Sequence, residues 1–288
     1  MAGVSRYALY IVDIDGTAID EITGSGFSPN PQVQPVRPLG ALDPSAMVMF
    51  GDRPTLRFET SKIDTVLGVA AESGLDCSTG IEFGYVERSA GGGYEAGGIT
   101  ITAAKCLVLP QTIVAAQDSI ASISYTCLPY SSDGTTAPLA KDGTLPSGTP
   151  ASSELFTIGA VTVGGVALGK PTNWSVDFGL AGEVLKKGEL YPTDAVIRSR
   201  MPTAQVGLAD IDEITTARLA GSEVSSVVFT LKKLSTTGGG YAGSGDVTIT
   251  LAKAFMYVSD GGGSHPGDAA MTVSFMARKD AGDIIAIA

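Results

Sequence analysis

The sequence has few of the residues that carry most enzyme chemistry. It contains one His, one Trp and three cysteines among 288 residues, and aromatic residues make up only 7% of the chain. A single imidazole leaves little material for His-based catalysis or for a His-rich metal site. None of the cysteines lies in a C-x-x-C pair, and three cannot close a disulfide framework. These shortages disfavour most enzyme classes and indicate assembly in a reducing compartment.

Positive charge is also scarce. The 19 Lys and Arg residues against 30 Asp and Glu residues give a formal net charge of −11. A nucleic-acid surface needs clustered cations, so this balance argues against one. The opening residues lack the basic and apolar regions of a secretory signal, and no apolar run approaches the roughly 20 residues of a membrane helix. We therefore expect a soluble protein with no membrane partner.

Glycine, in contrast, is abundant. There are 37 Gly residues in the chain, nearly twice the usual share of about 7%. This composition is typical of short strands joined by many turns and not of a helical bundle. Apolar residues make up 44% of the sequence, enough for a sizeable core. The length fits one large domain or two smaller ones.

The two halves of the sequence resemble each other. Six short segments recur in the same order at an offset of 147 to 150 residues. The pairs are Leu42–Met49 with Leu190–Ile197, Arg53–Thr55 with Met201–Thr203, Ile63–Asp64 with Ile211–Asp212, Gly91–Tyr94 with Gly238–Tyr241, Ile99–Lys105 with Val247–Lys253, and Ile123–Tyr125 with Val273–Phe275. Because chance matches keep neither order nor spacing, the pattern predicts a tandem duplication.

A stretch rich in Gly, Pro, Ser and Thr separates the two copies. It covers residues 129–153 and predicts a flexible or partly extended linker between β domains at 1–128 and 154–288. Residues 27–38 contain four prolines and predict an extended arm or loop. Their counterpart, residues 174–185, lacks these prolines and predicts an ordinary strand, so we expect the halves to differ here.

Each half is predicted to combine short strands with one helix. Helical periodicity predicts a helix from Ser61 to about Glu72, with Ser61 as its N-cap and Gly74 after its end, and a partner helix at 210–220. The strands are predicted at residues 7–13, 18–20, 47–50, 55–59, 81–87, 99–107 and 120–127, and at 156–168 with a turn at 164–165, 227–234, 247–257 and 271–277. This order predicts a mainly-β fold of two tandem β-sandwich or barrel domains, each with one flanking helix.

Asp13 and Asp15 end an apolar strand in the segment Tyr10–Thr17. The segment resembles the first motif of the haloacid-dehalogenase-like phosphatases, which implies a nucleophilic Asp and an acid/base Asp beside magnesium. However, residues 24–38 are too rich in Gly and Pro for the helix that this family places after the motif. The matching turn in the second half is Gly-Gly, without carboxylates. We therefore interpret the Asp13–Gly16 segment as a hairpin turn.

Three loops resemble ligand-binding loops in composition only. Residues 90–98 and 236–245 are Gly-rich, but they lack G-x-x-x-x-G-K-[ST] and precede strands instead of opening helices. We interpret them as hairpin loops that project from the sandwich. Residues 259–268 lack the Asp ladder of a calcium loop and are interpreted as a solvated turn. Cys106 and Cys127 lie on predicted strands as small core residues, and no cofactor or metal is expected.

The order of elements resembles that of the tail-tube proteins of long-tailed bacteriophages. The likeness rests on the opening hairpin, the paired strands, the helix at Ser61 or Asp210, three further strands and the closing strand Met271–Ala277. It implies a β-sandwich with one helix that assembles into rings, which stack into a hollow tube without an active site or cofactor. Some members carry two tube domains, so that three chains imitate a sixfold ring.

The repeat and this resemblance together predict a structural virion protein of a phage tail, assembled in the host cytoplasm. Its expected partners are further copies of the chain, other tail proteins, and DNA that passes through an acidic lumen without sequence-specific binding. The predicted contacts between rings are Gly91, Tyr94, Gly98, Gly238, Tyr241 and Gly245. Two alternatives stay open: another virion or surface-array protein, such as a decoration or fibre-base protein, and a pair of carbohydrate-binding modules.

Overall fold

The computed structural model describes residues 6–39, 42–88, 94–143, 154–209, 219–236, 239–263, 269–279 and 282–288. We call residues 6–143 the first half and residues 154–288 the second half. In these ranges the fold is mainly β, with several antiparallel sheets, and it is consistent with the β-sandwich class. The predicted fold class is therefore confirmed at this level.

The first half contains twelve strands and one helix in its described residues. They are β1 Arg6–Ile14, β2 Thr17–Ile19, β3 Ile22–Ser28, β4 Pro31–Val36, β5 Ala46–Asp52, β6 Thr55–Thr60, α1 Ile63–Val69, β7 Leu75–Cys77, β8 Ile81–Arg88, β9 Tyr94–Ala103, β10 Cys106–Ala116, β11 Ser122–Pro129 and β12 Ala140–Asp142.

The second half contains a further twelve strands in its described residues. They are β13 Phe156–Val163, β14 Val166–Ala167, β15 Pro171–Asp177, β16 Leu180–Leu185, β17 Asp194–Arg200, β18 Thr203–Leu208, β19 Ser222–Val224, β20 Val227–Lys233, β21 Val247–Leu251, β22 Ala254–Gly263, β23 Ala269–Ala277 and β24 Ile285–Ile287.

One large sheet runs through both halves. Its strand order is β19-β22-β23-β18-β15-β10-β11-β6-β3, and β7 pairs with β10 beside this path. Each half adds its own five-stranded sheet, ordered β12-β9-β8-β1-β2 in the first half and β14-β13-β20-β21-β24 in the second. Two small hairpins, β4–β5 and β16–β17, lie outside these sheets. The hydrophobic core combines one face of the large sheet with buried residues of both five-stranded sheets.

The strand pairing of the first half recurs in the second. β1, β2, β8, β9 and β12 pair with one another as β13, β14, β20, β21 and β24 do. The large sheet repeats in the same way. Its first-half strands have the order β3-β6-β11-β10-β7, which matches the order β15-β18-β23-β22-β19 of its second-half strands. Even unusual backbone conformations match, because Glu21 and Lys170, 149 residues apart, both have positive φ. The recurring sequence segments thus coincide with repeated strand connections.

One of the six sequence pairs is wrong in register. The sequence match places Tyr125 over Phe275. In the structure Leu107 lies opposite Leu128 on β10–β11, and Phe255 lies opposite Met276 on β22–β23. These pairs differ by 148 residues, so Tyr125 corresponds to Val273 and not to Phe275. The sequence match of Ile-Ser-Tyr with Val-Ser-Phe is shifted by two residues from the structural register. Inward and outward side chains alternate with a period of two, so a shift of two residues keeps the same side chains inward and the sequence pattern cannot reveal it.

Two long predicted strands are each divided by a turn. The predicted strand at 99–107 crosses Ala104 and Lys105, which separate β9 from β10. The predicted strand at 247–257 crosses Ala252 and Lys253, which separate β21 from β22. Both predictions are wrong in the same way. The turns contain neither Gly nor Pro, so the local sequence lacks the usual signal of a chain reversal.

The helix is shorter than predicted and is capped differently. It spans Ile63–Val69, and its N-cap, Lys62, makes no side-chain capping bond. The predicted cap, Ser61, donates its hydroxyl to the Glu21 carboxylate instead. Glu154, from the second half, accepts the backbone N–H of Thr65 at 3.1 Å. The predicted partner helix at 210–220 lies outside the described residues except at 219 and 220, which are helical.

The predicted linker and arm also differ from the structure. Residues 129–143 are packed on the first half, and β12 within them pairs with β9, whereas residues 144–153 lie outside the described ranges. The Pro-rich residues 27–38 contain the end of β3 and all of β4. Residues 174–185 form two strands around a turn with Gly179 at φ 60°. The halves therefore do not diverge here, because each makes a sheet strand followed by a hairpin strand.

Candidate interfaces for self-association

The two halves are joined by one pair of strand edges. β10 and β15 pair antiparallel over Thr112–Ala116 and Asn173–Asp177. The backbone N–H of Gln117 extends this pairing by donating to the Thr172 carbonyl at 2.8 Å. The remaining edge of β10, Cys106–Val108, pairs with β7. This junction makes a continuous ten-stranded sheet from two five-stranded units.

Hairpin β16–β17 of the second half covers part of the sheet of the first half. Gly182 in this hairpin lies directly over Leu107, Leu109 and Leu128. A Cβ atom on Gly182 would come within 2.6 Å of the Leu109 Cδ1 atom. Leu107 and Leu109 are accordingly buried, although their strand face points away from the main core. Glycine is needed here because the hairpin backbone contacts leucine side chains directly.

Backbone hydrogen bonds hold the tip of hairpin β16–β17. The N–H of Ser131 donates to the Pro192 carbonyl at 2.7 Å, and the N–H of Tyr191 donates to the Gly134 carbonyl at 3.0 Å. Tyr191 is buried in this contact. These bonds fix the hairpin to the loop that follows β11, so the contact between the halves is not limited to one strand pair.

Asp133 orders the loop that receives the hairpin tip. Its carboxylate accepts the backbone N–H groups of Thr136 and Thr135, each at 2.8 Å, and the Thr136 hydroxyl. These hydrogen bonds, first that of the Thr136 N–H, hold the pKa of Asp133 well below its usual range. The loop thus presents its backbone in a fixed conformation to the hairpin.

At the two ends of the ten-stranded sheet, the corresponding edges are open in the described part of the chain. β3 corresponds to β15 but pairs only with β6, and Asp260–Gly263 of β22 pairs only with β23. Val176 on β15 is fully buried, whereas its counterpart Phe27 on β3 is 53% exposed. An open edge with an exposed Phe is a ready template for pairing with another chain.

The outward face of the large sheet carries mostly small polar side chains. On β11 and β18 the burial alternates strictly, with apolar residues toward the core. The outward residues of β11, β15, β18 and β23 include Ser122, Ser124, Thr126, Ser175, Thr203, Gln205, Thr272 and Ser274. The same face also carries the charged residues Arg57 and Glu59 on β6 and Asp177 on β15, and the apolar residues Phe255 and Met276 at its second-half end.

The first Gly-rich loop extends into a strand. Gly91 lies outside the described residues. Tyr94 and Gly98 belong to β9, where they pair with Arg88 and Val86. The predicted hairpin loop is therefore shorter than residues 90–98, because the Gly residues near its end are part of the sheet.

The second Gly-rich loop is placed at the matching end of the other five-stranded sheet. Gly238 lies outside the described residues. Tyr241 forms a bridge with Leu234 and is 65% exposed. Gly245 has a positive φ of 82° and lies in the turn that leads to β21. Whether these loops contact another ring stays a prediction.

Asp13 and Asp15 build the turn between β1 and β2. The Asp13 carboxylate accepts the Gly16 N–H at 2.7 Å, and Asp15 accepts the N–H and the hydroxyl of Thr79. Partial burial of Asp15 opposes its ionisation, but hydrogen bonds from Thr79, Ser78 and Gly80 outweigh it and lower its pKa. Both carboxylates are thus used in local hydrogen bonds.

The described residues contain no group of three or more His, Cys, Asp or Glu side chains arranged to hold a metal ion. No helix in the described ranges is long and apolar enough to cross a membrane. Cys77, Cys106 and Cys127 are free and buried, which confirms Cys106 and Cys127 as core residues. Burial is the main reason that the thiol pKa values of Cys77 and Cys106 are raised.

Sequence reasoning missed the residues that join the halves. Gly182, Leu107 and Leu109 have no special motif, and strand edges pair through backbone groups that leave no mark on residue type. One signal was present in the sequence repeat, because Leu42–Pro44 and Leu190–Pro192 share the pattern L-x-P. In the structure the second of these segments is a contact site.

Comparisons with known proteins found no match for this chain: no family model matches it, and no curated protein matches it.

Proposed function

We propose that this chain is a structural protein whose copies associate into rings that stack into a tube, as in the tail of a long-tailed bacteriophage. Two equivalent β domains per chain, derived from a tandem duplication, would let three copies form a pseudo-sixfold ring. The β10–β15 junction is the observation that carries this proposal. It joins two units of the same strand order, and among the described residues the equivalent edges at the two ends of the sheet are open.

An edge contact that forms once within the chain can form again between chains. Applying the spacing of the repeat to the junction places Asp260 of one copy opposite Ser28 of the next, and Gly263 opposite Ser25. Such a head-to-tail contact uses two different surfaces of each copy. It closes into a ring when the rotation between neighbouring domains is a simple fraction of a full turn.

The contact between copies would not be identical to the junction. Within the chain, the N–H of Phe178 donates to the Gln111 carbonyl at 2.8 Å. The residue that corresponds to Phe178 is Pro29, which has no N–H to donate. The intermolecular edge therefore has one backbone hydrogen bond fewer than the junction. Because this makes the contact weaker, assembly needs a higher protein concentration.

In a closed ring, we assign to the lumen the part of the outward face of the large sheet that the hairpins leave uncovered. Its Ser, Thr and Gln side chains bind water and offer few cations to DNA phosphates. The net charge of −11 adds a general repulsion toward DNA. Such a lumen would let DNA slide through without sequence-specific binding. The proposed function is structural and gives the chain no catalytic role.

A proline at the open edge tests the proposed ring contact. By the junction register, the N–H of Ser25 points toward the next copy, so Ser25→Pro removes an intermolecular bond and retains the β3–β6 pairing. We expect Ser25→Pro to remain a folded monomer, whereas the matched control Ser25→Ala assembles. Sedimentation and negative-stain microscopy would show this. Unchanged rings with Ser25→Pro, or a wild-type chain that stays monomeric at high concentration, would refute the proposal.

A further inference from the structure

The hairpin β4–β5, which we call the free arm, exposes an unusual amount of apolar surface. It spans residues 31–52 between the free edge strand β3 and β6. Its exposed large apolar side chains are Val33, Val36, Leu39, Leu42, Met47, Val48, Met49 and Phe50. Apolar groups concentrated on one small hairpin mark a contact surface, since isolated exposed apolar residues are common but contiguous ones are not.

The free arm corresponds to the docked hairpin β16–β17. Val33 lies opposite Met49 in the free arm, as Gly182 lies opposite Ile197 in the docked hairpin. The residues of these two pairs are 148 or 149 positions apart.

Leu42 at the arm tip is 92% exposed, whereas its counterpart Leu190 is 42% exposed and the next residue, Tyr191, is buried against the first half. The free arm touches the docked hairpin near the end of β5, where Lys186 Nζ donates to the Phe50 carbonyl and Gly51 lies against Leu190. Its apolar side chains stay exposed, whereas the docked hairpin packs on the first half.

The surface that would receive the free arm is also bare. Leu107 and Leu128, which lie under the docked hairpin, correspond to Phe255 and Met276 on β22 and β23. Leu107 is 5% exposed, but Phe255 and Met276 are each 43% exposed. We call Phe255, Met276 and the neighbouring Tyr257 the apolar patch. It is the second-half equivalent of a surface that the first half buries.

The order of the chain shows which molecule can supply the arm. β16 directly follows β15, so its hairpin reaches across the β10–β15 junction onto the neighbouring half. β4 directly follows β3 in the same way, but the edge of β3 has no neighbour within the described chain. A hairpin placed equivalently must therefore lie on whatever unit pairs with β3.

We propose that the free arm of one copy docks on the apolar patch of a second copy of this chain. This contact rests on the head-to-tail association proposed above and accompanies each β22–β3 edge pairing. Val33 of the arm lies over Phe255 and Met276 of the partner. Because both sides have larger side chains than the Gly182–leucine contact, the arm stands farther from the sheet and fills the space with side chains rather than backbone.

The arm tip has a backbone partner as well. In the first half, the N–H of Tyr130 donates to the Lys105 carbonyl, and the next N–H, of Ser131, binds Pro192. In the second half, the N–H of Arg278 donates to the Lys253 carbonyl in the same manner. The next residue, Lys279, thus presents its N–H where the Pro44 carbonyl of the docking arm arrives.

Disulfide trapping between two single variants tests this contact. Val33→Cys and Met276→Cys both replace exposed residues, and the three native cysteines are buried. The two purified variants are mixed and oxidised, so that a disulfide between the new cysteines joins different copies. We expect a covalent dimer on a non-reducing gel that reducing agent abolishes. Mixing Val33→Cys with the control Val166→Cys, on the distant strand β14, should give none.

The outcomes separate this contact from the proposed ring. Rings seen by microscopy without a Val33–Met276 disulfide would overturn arm docking but leave ring assembly standing. Formation of the disulfide without rings would support arm docking and refute the proposed tube. As a second measurement, Phe255→Asp should weaken association at least tenfold in sedimentation while the circular dichroism spectrum stays that of the wild type. Equal association of Phe255→Asp and wild type would also overturn the docking proposal.

Discussion

Gly182 and Val33 hold the same position in two equivalent hairpins, each directly opposite a large apolar residue on the partner strand. Gly182 contacts buried leucines of the other half, whereas Val33 is exposed. The difference lies in what covers each hairpin, because Gly182 packs on the first half of its own chain whereas Val33 is left 49% exposed. The proposed self-association rests on this unequal burial of two matching residues.

The close contact of Gly182 predicts a loss of stability when a methyl group is added. In Gly182→Ala the new Cβ lies within 3 Å of two leucine methyl groups, which must shift. We expect the free energy of unfolding to fall by about 1–2 kcal/mol, as is typical of overpacking. Gly68→Ala is the matched control, because Gly68 is an exposed helix residue with open space around its Cβ position. It should raise the stability by about 0.5–1 kcal/mol. Urea unfolding of both variants would check the opposite signs.

The lowered pKa of Asp15 predicts a specific pH dependence of stability. A carboxyl group whose pKa is lower in the folded state than its ordinary 3.8 stabilises the fold above that value. This contribution is lost as the pH falls through the lowered pKa. Asp15→Asn retains an oxygen acceptor for Thr79 but does not titrate, so its unfolding free energy should vary less than that of the wild type as the pH falls below about 4. Urea unfolding across that range measures it.

The control for this experiment is Asp15→Ala, which removes the acceptor altogether. It should be less stable than wild type at neutral pH as well as in acid, because the Thr79 N–H and hydroxyl lose their partner. An Asp15→Asn variant with the same acid dependence as wild type would contradict the role assigned to this carboxylate.

The buried cysteines predict a native protein that is unreactive toward thiol reagents. All three thiols are buried, and burial raises the pKa of Cys77 and Cys106, so little reactive thiolate forms. We expect no labelling by a chromogenic disulfide reagent in the folded state and three labelled thiols in denaturant. Ser132→Cys, on an exposed loop residue, should add one immediately reactive thiol. Rapid labelling of the folded wild type would contradict the observed burial.

Tyr241 tests the predicted contact between stacked rings. If this exposed side chain packs against the next ring, Tyr241→Ser should leave rings intact. It should raise the protein concentration needed for tubes by about tenfold, as expected for the loss of an aromatic anchor. Tyr241→Phe retains the aromatic side chain and should form tubes at the same protein concentration as the wild type. Sedimentation and negative-stain microscopy of the three proteins decide the outcome, and tubes that form equally well with Ser would disprove this role.

The sequence by itself determined the mainly-β composition, most of the strands and the order of the repeat. These features depend on local alternation and on Gly at turns, as at Gly164 and Gly165, which reverse the chain between β13 and β14. Such signals are written in residue type because side-chain burial and positive φ depend on it.

Only the tertiary structure decided where these strands meet. It placed turns at Ala104–Lys105 and Ala252–Lys253, gave the helix a carboxylate from Glu154, and split residues 174–185 into two strands. The β10–β15 junction is also visible only in the structure. Strand edges pair through backbone N–H and C=O groups, which every residue except proline carries, so residue types do not reveal which edges meet. Likewise, only the packed chain shows that β4–β5 and β16–β17 are equivalent hairpins, and that Gly182 is covered and Val33 is not.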